Sequence, residues 1–501
     1  MATAVVVMAI FLRPPLSARA AEVNAAPIDS ERMFHDHVVP FLARNCYECH
    51  GNGNHLGNVS LDSISSATDI QSRPALWKSI LRALQGAVMP RSASKEYPTF
   101  SERNAIADWI QKELYLYTTA HPDPGVAAIH RLSRVEYRNT VRDLLGVDFK
   151  PGDDFPADES GKVVFLGAAD RSLTPELKQK YFDAALQVMD QATIPETDQS
   201  PASARAILGN FARRAWRRPV EPAELDRLLS LFAAAEQNGA SFQAAIKSSM
   251  KTSLVSPDFL FRGRLTPDAG VAESSHPVSE YELASRLSYF LWSTLPDDEL
   301  LNLAEHHELR SQLPDQVKRM LASPRAGQLV ENFSEQWFQL SYLDMAKPNK
   351  NLDPEFDNDL RESMRKETQL FFNAVMRDDR SVMDFLNGDY TFVNQGLAEL
   401  YGIPGVQGDQ FRRVSLEGTP RRGVATQAAI LTSTIYGPRV SIAKRGRWVM
   451  TTLLNLPGDT PRIPAPLLPE VNHPGSGPLR KQLEQHRSDA QCEYCHVQID
   501  P

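Results

Sequence analysis

At 501 residues, 42% of them apolar and 23% charged, the chain is too long for one ordinary core and has the composition of a multidomain globular protein. Its net charge of −8 argues against nucleic acid as a partner, because phosphate binding needs a basic surface. No stretch beyond the N-terminus approaches the roughly 18 apolar residues of a membrane span, so no transmembrane segment is expected.

Residues 1–20 predict a secretory signal peptide. Ala4 to Leu12 is a short apolar run, and Ala18-Arg19-Ala20 supplies the small-x-small cleavage pattern ahead of Ala21. The segment before the run carries no Lys or Arg, a departure from the usual layout; the competing reading is an N-terminal helix that frays. Export places the mature protein in the periplasm or outside the cell, with peripheral attachment to the envelope compatible with the sequence.

The four cysteines all fall in one pattern, Cys46-Tyr47-Glu48-Cys49-His50 and Cys492-Glu493-Tyr494-Cys495-His496. C-x-x-C-H is the attachment sequence of c-type haem. Two thiols form thioethers with the two vinyl groups, and the next residue places an imidazole under the iron as proximal ligand. Two covalent haems are therefore expected, held by Cys46, Cys49 and His50 and by Cys492, Cys495 and His496. Disulfides would suit an exported chain but leave the histidines unexplained. Zinc would lack a fourth ligand unless the two motifs meet, and a thioredoxin-like redox pair needs a βαβ context that is missing.

Residues 29–117 form the first expected domain. Phe34, Val38, Phe41 and Leu42 sit at helical spacing before Cys46, and Ile106, Trp109, Ile110 and Leu114 make a second stripe, with Ser101 as the N-cap of that helix. The arrangement resembles a class I cytochrome c domain, in which two such helices cross over the haem. Between them lies Gly86-Ala87-Val88-Met89-Pro90. The resemblance extends to the Met-Pro pair and makes Met89 the sixth iron ligand, although a lone methionine also serves as core filler. His55 is a competing ligand, and His35 and His37 read as surface or propionate-contacting groups.

The rest of the chain reads as mainly α, in all-helical domains at 127–192, 200–265 and 276–402 and a C-terminal domain at 418–501. Ser133 and Glu136 form a capping box before Val141, Leu144 and Leu145, and Gly146 stops that helix. Thr174-Pro175 and Glu221-Pro222 open two more, the second carrying Leu225, Leu228, Leu229 and Phe232 and ending near Gly239. Ser279 and Glu282 make a second capping box ahead of Leu283, Leu287, Phe290 and Leu291, and Asp353-Pro354 begins a long run through Phe356, Met364, Phe371 and Val375. These stripes are core packing and imply no cofactor. Residues 152–161 are acidic and turn-rich without EF-hand spacing, a solvated loop rather than a Ca²⁺ site. Pro457, Pro461, Pro464, Pro466, Pro469, Pro474 and Pro478 make a semi-extended spacer that leads into the second motif.

Several stretches together resemble the planctomycete-type multidomain cytochromes, secreted proteins in which a cytochrome c module precedes helical domains of unknown function. They are residues 131–146, from Arg131-Leu132-Ser133 to Leu144-Leu145-Gly146; residues 211–219, Phe211-Ala212-Arg213-Arg214-Ala215-Trp216-Arg217-Arg218-Pro219; residues 283–292, ending Tyr289-Phe290-Leu291-Trp292; Lys444-Arg445-Gly446-Arg447-Trp448-Val449; and the ending through Cys492–His496 to Ile499-Asp500-Pro501. Two departures stand out. The proline run is diluted by Gly458, Asp459 and Arg462, and the family continues past the Ile-Asp-Pro triplet, so the chain is expected to be truncated at its C-terminus.

Three functions fit this reading: an electron carrier that docks redox partner proteins, a di-haem peroxidase or dehydrogenase with one open iron, and a surface or carbohydrate-associated binding protein with a redox module. A sixth ligand at Met89 favours the first, because a six-coordinate iron leaves no room for substrate. No G-x-S-x-G or H-E-x-x-H is present and no catalytic residue is assigned. N-terminal sequencing of the native protein should find Ala21 or Glu22 at the mature end; an intact Met1 on a cytoplasmic protein would contradict both export and extracytoplasmic haem attachment.

Overall fold

The structure, a computed structural model, describes residues 27–85, 89, 98–120, 130–150, 174–262, 278–346, 356–436, 439–440, 442–454 and 481. The signal segment, the acidic loop at 152–161, the proline-rich spacer and the motif Cys492–His496 lie outside the described residues. The chain is mainly helical. Its described strands form three short antiparallel pairs: His130–Arg131 with Phe261–Arg262, Tyr390–Val393 with Arg412–Ser415, and Ile435–Tyr436 with Arg439–Val440. Two compact units divide it, one holding the N-terminal residues through Pro122 and the other running from Asp123 to Leu454.

In the N-terminal unit, helical backbone runs from Pro27–Met33 through a π-helical turn, Phe34–Val38, into Val39–Asn45. Further helices follow at Pro74–Gln85 and Phe100–Ala120. All eight residues of the two expected apolar stripes are buried in one core, together with Leu61, Ile64, Ile70, Trp77 and Leu84. The first and last helices touch directly. The Phe34 and Trp109 ring centres lie 5.9 Å apart, the Trp109 indole N–H donates to Ser30 Oγ at 3.1 Å, and Ser30 in turn donates to Glu113 at 2.7 Å. Trp77 packs edge-on against Trp109 and donates to Asp69, which also pairs with Arg73. Ser101 is not the N-cap of the last helix. That helix begins one residue earlier, and Thr99 caps it: Glu102 N–H donates to the Thr99 hydroxyl at 3.3 Å, and Thr99 N–H donates to the Glu102 carboxylate at 2.9 Å. The Thr99-x-x-Glu102 box satisfies two terminal donors at once, which Ser101 inside the helix could not do.

The larger unit begins with the capping signals expected. Ser133 and Glu136 close a reciprocal box on the helix Arg134–Leu145, which ends on Gly146 at φ 71°, a left-handed conformation that favours glycine. Thr174 caps Pro175–Gln191, and Pro222–Gln237 starts on its proline. At the second expected box only half forms. Ser279 accepts from Glu282 N–H, but the Glu282 carboxylate turns to Arg286, a neighbour one turn on. The long helix expected from Asp353-Pro354 begins at Asn358 with Asp357 as its cap, the Asp357 carboxylate accepting from Leu360 N–H at 2.8 Å.

One core runs from Leu132 to Leu295 and gathers the helices Arg134–Leu145, Pro175–Gln191, Pro201–Trp216, Pro222–Gln237, Phe242–Leu254 and the end of Glu280–Trp292. Arg217 ties it together. It is buried, left-handed at φ 58°, and its guanidinium donates to the carbonyls of Asp258, Phe259 and Phe261 and to the Tyr289 hydroxyl. Tyr289 reaches on to Thr140 at 3.0 Å. A smaller core around Trp292 and Met320 follows, and a third collects Phe338, Phe371, Phe372, Phe385 and Trp448.

Glu367 stands at the centre of that third core with no exposed surface. Its carboxylate accepts from the Thr391 hydroxyl at 2.5 Å and the Tyr401 hydroxyl at 2.7 Å, while Tyr401 accepts from Ala428 N–H and lies under the Arg421 guanidinium. Burial raises the Glu367 carboxyl from its ordinary 4.5 to about 7; the two hydroxyls and Arg421 only partly oppose that rise. The folded state therefore holds a proton that the unfolded chain releases above its lower pKa, so stability falls as pH rises through this window. Hydrogen exchange in the helix Asn358–Arg377, compared between wild type and Glu367→Gln, should show a stability difference that declines by about 3 kcal/mol between pH ~4.5 and ~7 and is flat above. A difference independent of pH would refute the assignment.

Candidate functional site

The first motif occupies a single turn at the end of the N-terminal helix. Cys46 N–H donates to Leu42 O at 2.8 Å and so continues the helix. His50 N–H then donates to Cys46 O at 2.8 Å and Cys49 N–H to the same oxygen at 3.2 Å. Tyr47–His50 is thus one helical turn that sets Cys46, Cys49 and His50 on adjoining positions. Both thiols are free: Cys46 is half-buried and Cys49 exposed. Burial, with the nearby Cys49, pushes the Cys46 thiol up to about 11, opposite to the lowered thiol of a redox-active C-x-x-C pair. His50 is half-buried, and its Nδ1 is buried without a hydrogen-bond partner.

The loop after the motif is fastened to it. Leu61 N–H donates to His50 O at 2.6 Å, and the Asp62 carboxylate accepts from Asn52 N–H and from the Ser60 hydroxyl. Those two donors, Ser60 first, hold the Asp62 carboxyl below its ordinary value. Gly51 makes the close approach possible: a Cβ there would sit 3.1 Å from the Cβ atoms of both Tyr47 and Asp62. On the helical side Arg44, two residues before Cys46, pairs with Glu102 at 2.5 Å. The Glu102 carboxyl is held well below the usual range by Thr99 N–H, then by Arg44 and the Thr99 hydroxyl.

Met89 is half-buried in a bend, and its backbone is held from two sides. Its N–H donates to Ala83 O at 3.4 Å, and its carbonyl accepts from Arg103 Nη2 at 3.0 Å. His35, His37 and His55 are exposed, and His35 pairs with Glu31 at 3.2 Å. Among the described residues no three His, Cys, Asp or Glu side chains converge as a metal-binding group. The donor set fits covalent haem at this motif: two free thiols three residues apart, an imidazole on the same turn, and a ring nitrogen without a partner.

Arg103 is the residue the sequence reading passed over. It lies on the buried phase of its helix, three and seven residues before Ile106 and Ile110, so a charge in the apolar stripe was the available signal. No described helix is long and apolar enough to cross a membrane.

Four protein-family models match the chain in sequence order. They are described as proteins of unknown function DUF1587 (PSD3) at residues 130–194, DUF1595 (PSD5) at 203–263, DUF1592 (PSD4) at 278–403 and DUF1588 (PSCyt3) at 421–501. The last contains Cys492–His496, and all four begin after Cys46–His50. No curated protein and no solved structure matches the chain. From residue 130 to its end, the chain carries the four planctomycete-type domains associated with multihaem c-type cytochromes.

Proposed function

We propose that this protein is an exported multihaem c-type cytochrome that carries electrons, with one haem c on Cys46, Cys49 and His50 and a second on Cys492, Cys495 and His496. The observation that carries the reading is the Cys46–His50 segment, a free thiol at the start of one helical turn with a second free thiol and an imidazole at its end, the C-x-x-C-H pattern being repeated in sequence within the segment matched by DUF1588. When bound, the haem iron supplies the one-electron couple between Fe(II) and Fe(III).

The chain's own residues attach and tune it. Each cysteine adds its S–H across a vinyl group, the sulfur to one carbon and the proton to the other, so no oxidant is consumed. His50 donates a ring nitrogen to the iron. The Leu61–His50 bond and the Gly51–Asp62 contact fix the backbone on the far side of the turn. Met89 would supply a thioether ligand to the iron, a donor that favours Fe(II) and raises the potential. An iron held by both His50 and Met89 would have no position for substrate, which favours electron transfer over an oxidase or peroxidase at this haem. The helical domains dock redox partner proteins, and the protein works in the periplasm or outside the cell.

Pyridine haemochrome analysis of the matured, full-length protein should give two haems per chain. Cys46→Ala/Cys49→Ala and Cys492→Ala/Cys495→Ala should each remove one; a stoichiometry of zero in the wild type rejects the proposal. At the first haem, Met89→Ala should abolish the weak near-red sulfur-to-iron band of the ferric protein, lower the potential and open the iron to cyanide. Met89→His should keep six-coordination and still lower the potential. An unchanged spectrum and potential in Met89→Ala would remove Met89 as ligand and leave His55 to be tested.

A further inference from the structure

Arg103 is 1% exposed, the most deeply buried charge among the described residues of the N-terminal unit. Burying a guanidinium costs several kcal/mol unless fixed acceptors compensate it. Nor does helix electrostatics favour its place: it is the fourth residue of Phe100–Ala120, near the positive end of that helix's dipole. One of its donors is committed to the Met89 carbonyl at 3.0 Å. Its sequence neighbour Glu102 is committed to Arg44, two residues before Cys46. Two consecutive residues of one helix thus contact the two segments that carry the proposed ligands, Arg103 through a donor of its buried guanidinium and Glu102 through an exposed ion pair. The helix itself is fixed by Ile106, Trp109 and Ile110 in the core it shares with Phe34 and Phe41.

We infer that Arg103 is a positioning residue for the sixth ligand: it anchors the Met89 backbone to the helix that also braces the Cys46–His50 turn, and so sets the separation of the two ligand segments. The inference rests on Met89 being the ligand, as proposed above. Loss of the anchor leaves the thioether bond intact in principle but lets the Met89 segment move away, so ligand exchange at the ferric iron accelerates. Loss of the positive charge also removes a local preference for the less positive ferrous state, so the potential falls.

The test uses the full-length haem-loaded protein in four variants: Arg103→Leu, Arg103→Lys, Met89→Ala and, as a control for simple destabilisation, Ile70→Ala, which empties part of the same core. The readouts are the near-red band, the rate of cyanide binding to the first haem and its potential. Arg103→Leu should weaken the band, speed cyanide binding by about tenfold or more, the equivalent of one charge-assisted hydrogen bond, and lower the potential. Arg103→Lys, which keeps the charge and a donor, should fall between Leu and wild type. Ile70→Ala should lower thermal stability and leave band and rate unchanged. Wild-type band and rate in Arg103→Leu, or in Arg103→Lys should the Leu variant fail to load haem, would overturn the inference. Equal loss in Ile70→Ala would do the same. If Met89→Ala leaves the band untouched, the ligand assignment itself fails, a result distinct from either.

Discussion

Everything in the N-terminal unit depends on one backbone requirement: residues 46, 49 and 50 must sit on a single turn whose carbonyls and amides are already satisfied. Three flexible side chains from a loose loop would lose their conformational freedom at the moment of attachment. Here that loss is smaller, because Cys46 N–H closes the preceding helix and His50 N–H closes back on Cys46. The preceding helix is in turn held by Phe34, Val38, Phe41 and Leu42, so the hydrophobic core supplies the rigidity of the turn. Trp77 packs edge-on against Trp109, and Phe34 lies tilted against the same ring, so the close-packed core resists small displacements.

How much of this could be read from sequence depended on the period and the punctuation of the chain. The stripes before Cys46 and after Thr99 were legible because four residues at 3.6-residue spacing can bury one helix face and nothing else in the segment competes. Capping was legible where a hydroxyl and a carboxylate three residues apart preceded a stripe, as at Ser133, and misplaced at Ser101, which has no carboxylate three residues on; Thr99, with Glu102 at that spacing, is the cap. Ser279 shows the opposite limit. The spacing for a box is there, but Arg286 one turn later competes for Glu282 and wins. The helix Pro74–Gln85 went unread although Leu76, Trp77, Ile80, Leu81 and Leu84 stand at helical spacing in it; the Asp69–Trp77 bond joins two separate helices and has no signal in the sequence. The candidate site was legible as a motif, C-x-x-C-H. Its supports were not: the Gly51–Asp62 approach, the Arg44–Glu102 pair and the Arg103–Met89 bond join residues that only the fold brings together.

Buried ionisable groups recur where distant segments join. Arg103 connects the last helix of the N-terminal unit to Met89, Arg217 connects the end of one helix to the Pro257–Leu260 turn and to Tyr289, and Glu367 connects a helix to a strand hydroxyl and to Tyr401. An apolar side chain could fill each volume, and replacing such groups by well-packed apolar residues is often neutral for stability. What an apolar residue lacks is direction. A guanidinium with carbonyl partners at fixed angles accepts one arrangement of the segments and penalises others, because a mispaired buried charge is far more costly than a mispaired methyl group.

The same reasoning gives a physical cause for the order of the matched family segments. Residues 130–131 complete a strand pair only with 261–262, so the start of the DUF1587 match is finished by the end of the DUF1595 match. Arg217 in the second match donates to Tyr289 in the third, and Tyr289 reaches back to Thr140 in the first. Tyr401 in the third match is covered by Arg421, the first residue of the fourth, and its hydroxyl takes the N–H of Ala428. Each segment leaves polar groups or an apolar face that its neighbour satisfies. Deleting or reordering one would strand a buried guanidinium or carboxylate in its partner, a penalty of several kcal/mol against a total stability for a domain of about 5–15 kcal/mol.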